Sequence, residues 1–359
     1  MPAQPVNDLA ARLGDVQRVA VFRALVLGDM ICASPALRAL RACFPNAHIT
    51  LVGLPWAREW ARRMATIDDF IEFPGYPGLP ERSVDVRALP SFIQHMQAQR
   101  FDLAVQLHGS GQTVNGLLAT WGARQVAAFC EPGQYCPDPD LSCQWPVTGT
   151  EVQRLLSLTD VLGAPRQGES LDWTVEPADR QEAASLLTAH LPQGGDQPYV
   201  CVHPGAQLAS RRWPVEYFAR IADQLAQSGR TVVLTGVAHE QALVQAVQDA
   251  MQQDCVNLVG QTSLWGLGAL IEGASLLVCN DTGVSHVAAA VGTRSVVLSC
   301  GGDVDRWAPA NPSLHRVLWV QRHCRPCSYP VCPYAHECAT ELTPAAVWPV
   351  IEPMLGAGS

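Results

Sequence analysis

Residues 275–291 read Ser-Leu-Leu-Val-Cys-Asn-Asp-Thr-Gly-Val-Ser-His-Val-Ala-Ala-Ala-Val. The run ending at Cys279 predicts a short buried strand, and Val287 to Val291 continue as a helix of small apolar residues. Between them lies the polar turn Asn280-Asp281-Thr282-Gly283. In an open α/β sheet such a turn sits outside the carboxyl ends of the strands, where ligands bind. Gly283 lets the backbone approach a ligand closely. The N–H groups of Val284, Ser285 and His286 at the helix start would face an anion, helped by the helix dipole. Asp281 and Thr282 add side-chain hydrogen-bonding capacity. The alternative account of the same residues is an Asp or Thr N-cap on an ordinary helix.

Working outward, β-rich runs alternate with helical patterns on both sides. In the first half, strands are predicted at 19–27, 49–52, 70–73, 103–107 and 126–129. Helices are predicted at 35–43, 55–64, 89–99, 113–121 and 151–162. The alternation restarts with strands at 199–202, 231–234, 256–259, 276–279, 295–298 and 317–320. Helices there fall at 214–228, 240–252, 264–271 and 285–291. Between the halves, 163–198 is rich in Pro, Gly, Gln and Asp and holds one helical stretch at 178–191. Strands alternating with helices imply parallel, doubly wound sheets. The expected α/β architecture is two Rossmann-like doubly wound domains facing across a cleft. Their expected bounds are 1–165 and 199–342, joined by a connection at 166–198 and closed by a helix within 343–359.

Composition narrows the function. The 359 residues carry a formal net charge of −9, which argues against a nucleic-acid partner. All 24 basic residues are arginine, so any role usually played by lysine falls to arginine. Residues 1–160 hold 13 Arg against 15 Asp and Glu, and the remainder 11 against 18. The one basic group, Arg58, Arg62 and Arg63, reads as a solvated helix face. No apolar run reaches the length of a membrane span. The opening residues lack a basic start followed by an apolar core, so no signal peptide and a cytoplasmic protein are expected.

Three further loops carry candidate chemistry. The first strand runs into Leu27-Gly28-Asp29, which puts a carboxylate in the loop between strand and helix. Asp29 there would act as a general base on a sugar hydroxyl, or hold its own turn. The second half opens with His203-Pro204-Gly205-Ala206, followed by Arg211-Arg212-Trp213-Pro214. Forked arginine donors suit a diphosphate. In Thr235-Gly236-Val237-Ala238-His239-Glu240, the glutamate would accept both hydroxyls of a ribose or favour a helix start. Neither half has a GxGxxG fingerprint after its first strand, which counts against a nicotinamide or flavin enzyme.

These pieces stand in one order: LGDxxxxxPALRALR at 27–41, QLHGS at 106–110, HPGA followed by RRWP at 203–214, TGxxxE at 235–240 and NDTGVSH at 280–286. The set resembles glycosyltransferase family 9, the bacterial heptosyltransferases. The resemblance implies a GT-B fold and an inverting transfer that needs no catalytic metal or other cofactor. The implied donor is ADP-L-glycero-D-manno-heptose. It also implies Asp29 as the base. Arg211, helped by Arg212, and the amides of Gly283 to Ser285 would stabilise the leaving diphosphate. The family's usual residue at the Arg211 position is lysine. Glu240 would bind the ribose, and Asp281, Thr282 and His286 belong to the donor turn. The implied acceptor is the lipid-linked lipopolysaccharide inner core, met by peripheral contact at the inner face of the bacterial inner membrane. An acidic chain with a near-neutral first half fits an acidic lipid surface poorly. A protein or another glycan therefore stays open as acceptor, as does a non-catalytic sugar-nucleotide-binding homologue.

Thirteen cysteines divide in two groups. Nine are scattered and read as small core residues of a reduced protein. Cys324, Cys327, Cys332 and Cys338 form C-x2-C-x4-C-x5-C, which would close a tetrahedral site for a structural zinc or iron. Free thiols or a disulfide pair are the alternative. Similar clusters occur near the C-terminus of some family members, including protein heptosyltransferases with an iron-binding finger.

Overall fold

The computed structural model describes residues 13–191 and 198–356. The opening residues 1–12, on which part of the signal-peptide expectation rests, lie outside the described residues, as do 192–197 of the expected connection. The chain divides into two compact units between Asp172 and Trp173.

The first unit runs β1 (Arg18–Phe22), α1 (Leu27–Cys32), α2 (Ser34–Cys43), β2 (His48–Gly53), α3 (Ala57–Arg63), β3 (Asp69–Glu72), α4 (Leu89–Ala98), β4 (Leu103–Gln106), α5 (Val114–Ala119), β5 (Gln125–Ala127) and α6 (Glu151–Val161). Its five strands form a sheet in the order β3-β2-β1-β4-β5, every pairing parallel. A parallel strand covered on both faces must be apolar throughout, and all four residues of β4 are buried. Phe22, Phe73, Phe92 and Trp121 pack edge to face under the sheet. Thr150 and Gln153 form a capping box that starts α6.

The second unit opens with α7 (Pro177–His190), which packs against its own unit through the Arg180–Glu272 ion pair. It continues through β6 (Tyr199–His203), α8 (Val215–Gln227), β7 (Thr231–Leu234), α9 (Gln241–Ala250), β8 (Val256–Asn257) and α10 (Leu264–Glu272). Then follow β9 (Leu276–Asn280), α11 (Gly283–Val291), β10 (Ser295–Leu298), α12 (Val304–Trp307), β11 (His315–Leu318), α13 (Glu337–Thr340) and α14 (Pro344–Leu355). The sheet order is β11-β10-β9-β6-β7-β8, again parallel. Phe218, Ile221, Ala222 and Leu225 give α8 a buried face at helical spacing. Arg230 and Arg294 donate to the carbonyls of Leu355 and Met354, closing the C-terminal end of α14. Both sheets are the parallel, doubly wound arrangement expected from the alternation.

Two sequence readings need correction. The first strand ends at Phe22 rather than Leu27, because Arg23 turns its side chain inward and Leu27 already begins α1. Of the nine cysteines expected as free thiols, Cys130 and Cys136 are joined in a disulfide; the loop after β5 brings their Cα atoms to 5.5 Å. Cys201, Cys279 and Cys300 are free and buried, and burial pushes their thiols far above the ordinary range.

His315 on β11 lies 2.9 Å from the Ser295 hydroxyl, and burial, helped by the charge of His286, pulls its imidazole down to about 4. The unfolded chain would take up that proton from about pH 6.5 downward, while the folded chain stays neutral to about pH 4. Stability is therefore expected to fall as pH drops through that window. Thermal unfolding of His315→Asn should lose less between pH 7 and 4.5 than the wild type does.

Candidate active site

Both sheets reverse strand order at a switch point, and the chemistry-bearing loops follow the strands that flank it. In the first unit the reversal lies between β1 and β4. Arg23, one residue past β1, is only 1 % exposed. Its Nε donates to the Asp29 carbonyl at 2.8 Å, its Nη1 to the Leu107 carbonyl and its Nη2 to Glu151 Oε1 at 3.0 Å. One guanidinium thus ties the start of α1 to the end of β4 and the start of α6. Asp29 was expected in a strand-to-helix loop; it occupies the first turn of α1, because the chain enters the helix at Leu27. Its carboxylate stays partly exposed at 20 %, with Oδ1 3.7 Å from Arg23 Nη2.

The QLHGS segment supports this loop. His108 stacks on Phe22, and its Nδ1 accepts the Ala24 N–H at 3.2 Å. The proton is therefore on Nε2, 3.4 Å from Glu81 Oε1. Burial pushes the Glu81 carboxyl up, but the His108 hydrogen bond and charge together with a backbone hydrogen bond outweigh it, and the net direction is downward.

In the second unit the reversal lies between β6 and β9. Asn280, the last residue of β9, is wholly buried. Its Oδ1 accepts the Trp213 N–H at 2.9 Å, and its Nδ2 donates to the carbonyls of Pro204 at 2.7 Å and Gly205 at 3.4 Å. One carboxamide joins the HPGA turn, the RRWP segment and the NDTG turn. Trp213 is buried and donates its indole N–H to the Leu342 carbonyl at 2.7 Å.

Glu240 closes a short 3-10 turn after β7 and is also buried. One carboxylate oxygen accepts the Val237 N–H at 3.0 Å. The other lies so close over Gly205 that an added Cβ would sit 2.1 Å from it. Nearby, burial holds the His203 imidazole below its ordinary value, against the opposing pull of Glu240. His203 is therefore neutral near pH 7, and its 3.8 Å approach to Glu240 is no ion pair.

Arg211 ends the 3-10 turn Ala209–Arg211. Its Nη2 donates to the Cys327 carbonyl, while Nε is a buried donor without a hydrogen-bond partner among the described residues. Arg212 instead donates its Nε to the Ala206 carbonyl at 3.0 Å, which braces the HPGA loop. Asp281 follows β9, and its Oδ2 accepts the Ser299 hydroxyl at 3.1 Å. Thr282 precedes α11 without capping it through its side chain. Val284, Ser285 and His286 fall in the first turn of α11, as expected, but the Ser285 N–H is already bonded to the Thr282 carbonyl at 3.0 Å. It is not open to a ligand. His286 is buried with its ring edge to face with Trp307.

The cysteine-rich segment packs on this same face. Cys327 N–H donates to the Gly301 carbonyl at 3.0 Å, and His336 Nε2 lies 2.9 Å from the Ser210 carbonyl oxygen. As the side chains stand, no three His, Cys, Asp or Glu among the described residues are gathered to share an ion, so the four cysteines form no preassembled ligand set. The basic group of the first unit is engaged with carboxylates of its own unit. Arg62 and Arg63 pair with Glu59, pulling its carboxyl down to about 2, and Arg58 reaches Glu72 at 3.7 Å.

A family model described as glycosyltransferase family 9 (heptosyltransferase) matches residues 90–337. The chain belongs to glycosyltransferase family 9. A curated relative, lipooligosaccharide heptosyltransferase 2 of Haemophilus influenzae, is 27 % identical over 284 residues, 76 % of this chain and 80 % of the relative. Among solved structures, a family 9 glycosyltransferase from Veillonella parvula has a TM-score of 0.79 at 21 % identity, covering 95 % of this chain and 98 % of its own. The ADP-heptose lipopolysaccharide heptosyltransferase II of E. coli has a TM-score of 0.71 at 21 % identity, covering 94 % and 98 %. The family 9 chain is therefore a glycosyl-group transferase with the GT-B fold. No helix among its described residues is long and apolar enough to cross a membrane.

Sequence reading missed Arg23, Glu151 and Asn280. The signal for Arg23 was a lone charge inside the run Val19–Leu27, and for Asn280 a carboxamide closing an apolar strand. Arg23→Met should destabilise the protein by about 3–5 kcal/mol in denaturant unfolding, since it removes the guanidinium from the buried Glu151 carboxylate and from the Asp29 and Leu107 carbonyls. Adding Glu151→Gln should recover part of that loss, so the pair is expected to be non-additive.

Proposed function

We propose that this family 9 enzyme transfers a heptose, with inversion, from ADP-L-glycero-D-manno-heptose to a lipopolysaccharide inner-core acceptor at the cytoplasmic face of the inner membrane. The observation that carries the reading is the donor-type face of the second unit. Asn280 locks three loops at the switch point, beside a buried arginine Nε that lacks an acceptor among the described residues. Relatives named for lipooligosaccharide heptose transfer and for ADP-heptose supply the donor and the acceptor class.

In this reading Asp29 takes the proton of the acceptor hydroxyl as that oxygen forms a bond to the anomeric carbon. The bond from that carbon to the diphosphate oxygen breaks, and ADP departs with the electron pair. Arg211 and the amides of Gly283 and Val284 meet the charge that develops on the diphosphate, with Ser285 positioning the turn. Arg212 holds the HPGA loop, Glu240 faces the ribose, and Asp281, Thr282 and His286 shape the donor turn. A protein or other-glycan acceptor is the second reading, favoured by the pairing of Arg58, Arg62 and Arg63 with Glu59 and Glu72, which weakens the attraction of that group for an acidic lipid. Cys324, Cys327, Cys332 and Cys338 are read as ligands for a structural zinc or iron that tightens their loop, with no part in bond chemistry.

ADP release from ADP-heptose, measured with lipid-core and protein acceptors, tests the reading. Acceptor-dependent release should fall about 10²–10⁴-fold in Asp29→Asn, the usual worth of a general base. Release with the protein acceptor alone would select the second reading. Donor binding without release from any acceptor would point to a non-catalytic homologue. Metal analysis of protein purified without chelator should find roughly one zinc or iron per chain, lost in Cys324→Ser/Cys327→Ser. A metal-free, fully folded protein would sink the metal assignment.

A further inference from the structure

The cysteine-rich segment contains a residue that neither its spacing nor any family motif singles out. Arg325 lies between Cys324 and Cys327, and its guanidinium makes three hydrogen bonds into the loop after β10. Nη1 donates to the Ser299 carbonyl at 2.6 Å, and Nη2 to the Ser299 hydroxyl at 3.2 Å and the Gly302 carbonyl at 2.9 Å. The Ser299 Oγ that accepts from Arg325 must direct its only proton elsewhere, and that proton goes to Asp281 Oδ2 at 3.1 Å. Ser299, at the centre of this relay, is wholly buried, while Arg325 and Asp281 at its ends are half-buried.

Gly302 explains why the clasp has to be tight. A Cβ there would lie 2.0 Å from Asp281 Oδ2, 2.7 Å from Ser299 Oγ and 3.1 Å from Arg211 Nη1. The Asp281 carboxylate and the Arg211 guanidinium therefore converge on one bare stretch of backbone. Arg325 holds that stretch by the Gly302 carbonyl. Two residues on, the Cys327 carbonyl accepts from Arg211 itself. The segment 325–327 thus grips both charged groups of the donor turn, Asp281 through Ser299 and Arg211 directly.

We propose that Arg325 is a positioning residue for the nucleoside-diphosphate part of the donor, setting Asp281 and Arg211 at fixed places through Ser299, Gly302 and the adjoining Cys327 carbonyl. This rests on the donor reading above for Arg211 and Asp281, and it does not depend on whether the cysteines carry a metal, because none of these contacts uses a cysteine thiol. Lysine could not replace it. A single ammonium has no planar fork to serve two carbonyls and a hydroxyl at once.

The test is calorimetric binding of ADP, with UDP, GDP and CDP alongside, to the full-length wild type, Arg325→Ala, Arg325→Lys and Arg322→Ala, each with its thermal midpoint recorded. Arg322 belongs to the same segment but pairs with Glu337 and Glu341, away from the clasp. The expected result is an ADP Kd raised about tenfold or more in Arg325→Ala. Arg325→Lys should be intermediate and Arg322→Ala unchanged. In turnover the loss should appear in the donor KM and leave the acceptor KM alone, a split that a general loss of folded protein would not produce. If Arg325→Ala does not fold, the expected result is a raised ADP Kd in folded Arg325→Lys, smaller than about tenfold but absent from Arg322→Ala. Wild-type affinity in a folded Arg325 variant, or an equal loss in Arg322→Ala, would overturn the proposal. A wild type that binds none of the four nucleotides would overturn the donor reading, and this inference with it.

Discussion

The loops that follow β6 and β9 depend on one buried carboxamide. At the switch point of a parallel sheet the loops after the two central strands leave in opposite directions, and no ladder hydrogen bond joins them. Asn280 supplies the missing link with one acceptor and two donors, all matched to backbone groups of the other two segments. Aspartate would set a second acceptor against the Pro204 carbonyl, and a longer glutamine would displace Trp213. Leaving any of these buried groups unpaired costs about 1–3 kcal/mol. Positions of His203, Arg211 and Asp281 follow from that constraint, since each lies within a few residues of a group that Asn280 holds.

The first unit solves the same problem with a charge. Arg23 enters the space beside the end of β1 and satisfies two carbonyls, with Glu151 as counter-ion at 3.0 Å. A buried ion pair is weak evidence for stability, because desolvation offsets much of its attraction. Its value here is geometric. The guanidinium fixes the backbone of Asp29 and leaves the carboxylate partly open to solvent, as the proposed role of a base would require.

Much of this was legible from residues alone, and the limits have physical causes. Buried parallel strands must be apolar on both faces, so β4, β6 and β9 announce themselves as continuous runs. Helices with a buried stripe, such as α8, show their period in the same way. Local periodicity reports burial but not the distant partner of a polar side chain. Arg211 meets Cys327 across 116 residues, and Asn280 meets Pro204 across 76. Nor did spacing reveal that Cys130 closes a six-residue loop with Cys136, or that Ser285 turns its N–H back to Thr282. Those outcomes are decided by the local path of the chain, which residue type constrains only loosely.

The absence of lysine gives these polar contacts a common character. Arg23, Arg211 and Arg325 each reach backbone carbonyls outside their own element. A guanidinium held at two or more points by carbonyls is fixed in orientation before any ligand arrives, whereas an ammonium on a flexible stem would be ordered only on binding. Transfer from a diphosphate without a catalytic metal needs donors already aimed at the developing charge, since reorientation during the reaction would add to the barrier. In the proposed role Arg211 would answer that requirement with a single anchor, one arm on the Cys327 carbonyl, and a buried Nε that has no hydrogen-bond partner among the described residues. On the same proposal, the hydrogen bonds that continue through Gly302 and Ser299 into the cysteine-rich segment would make that segment part of the donor site's architecture.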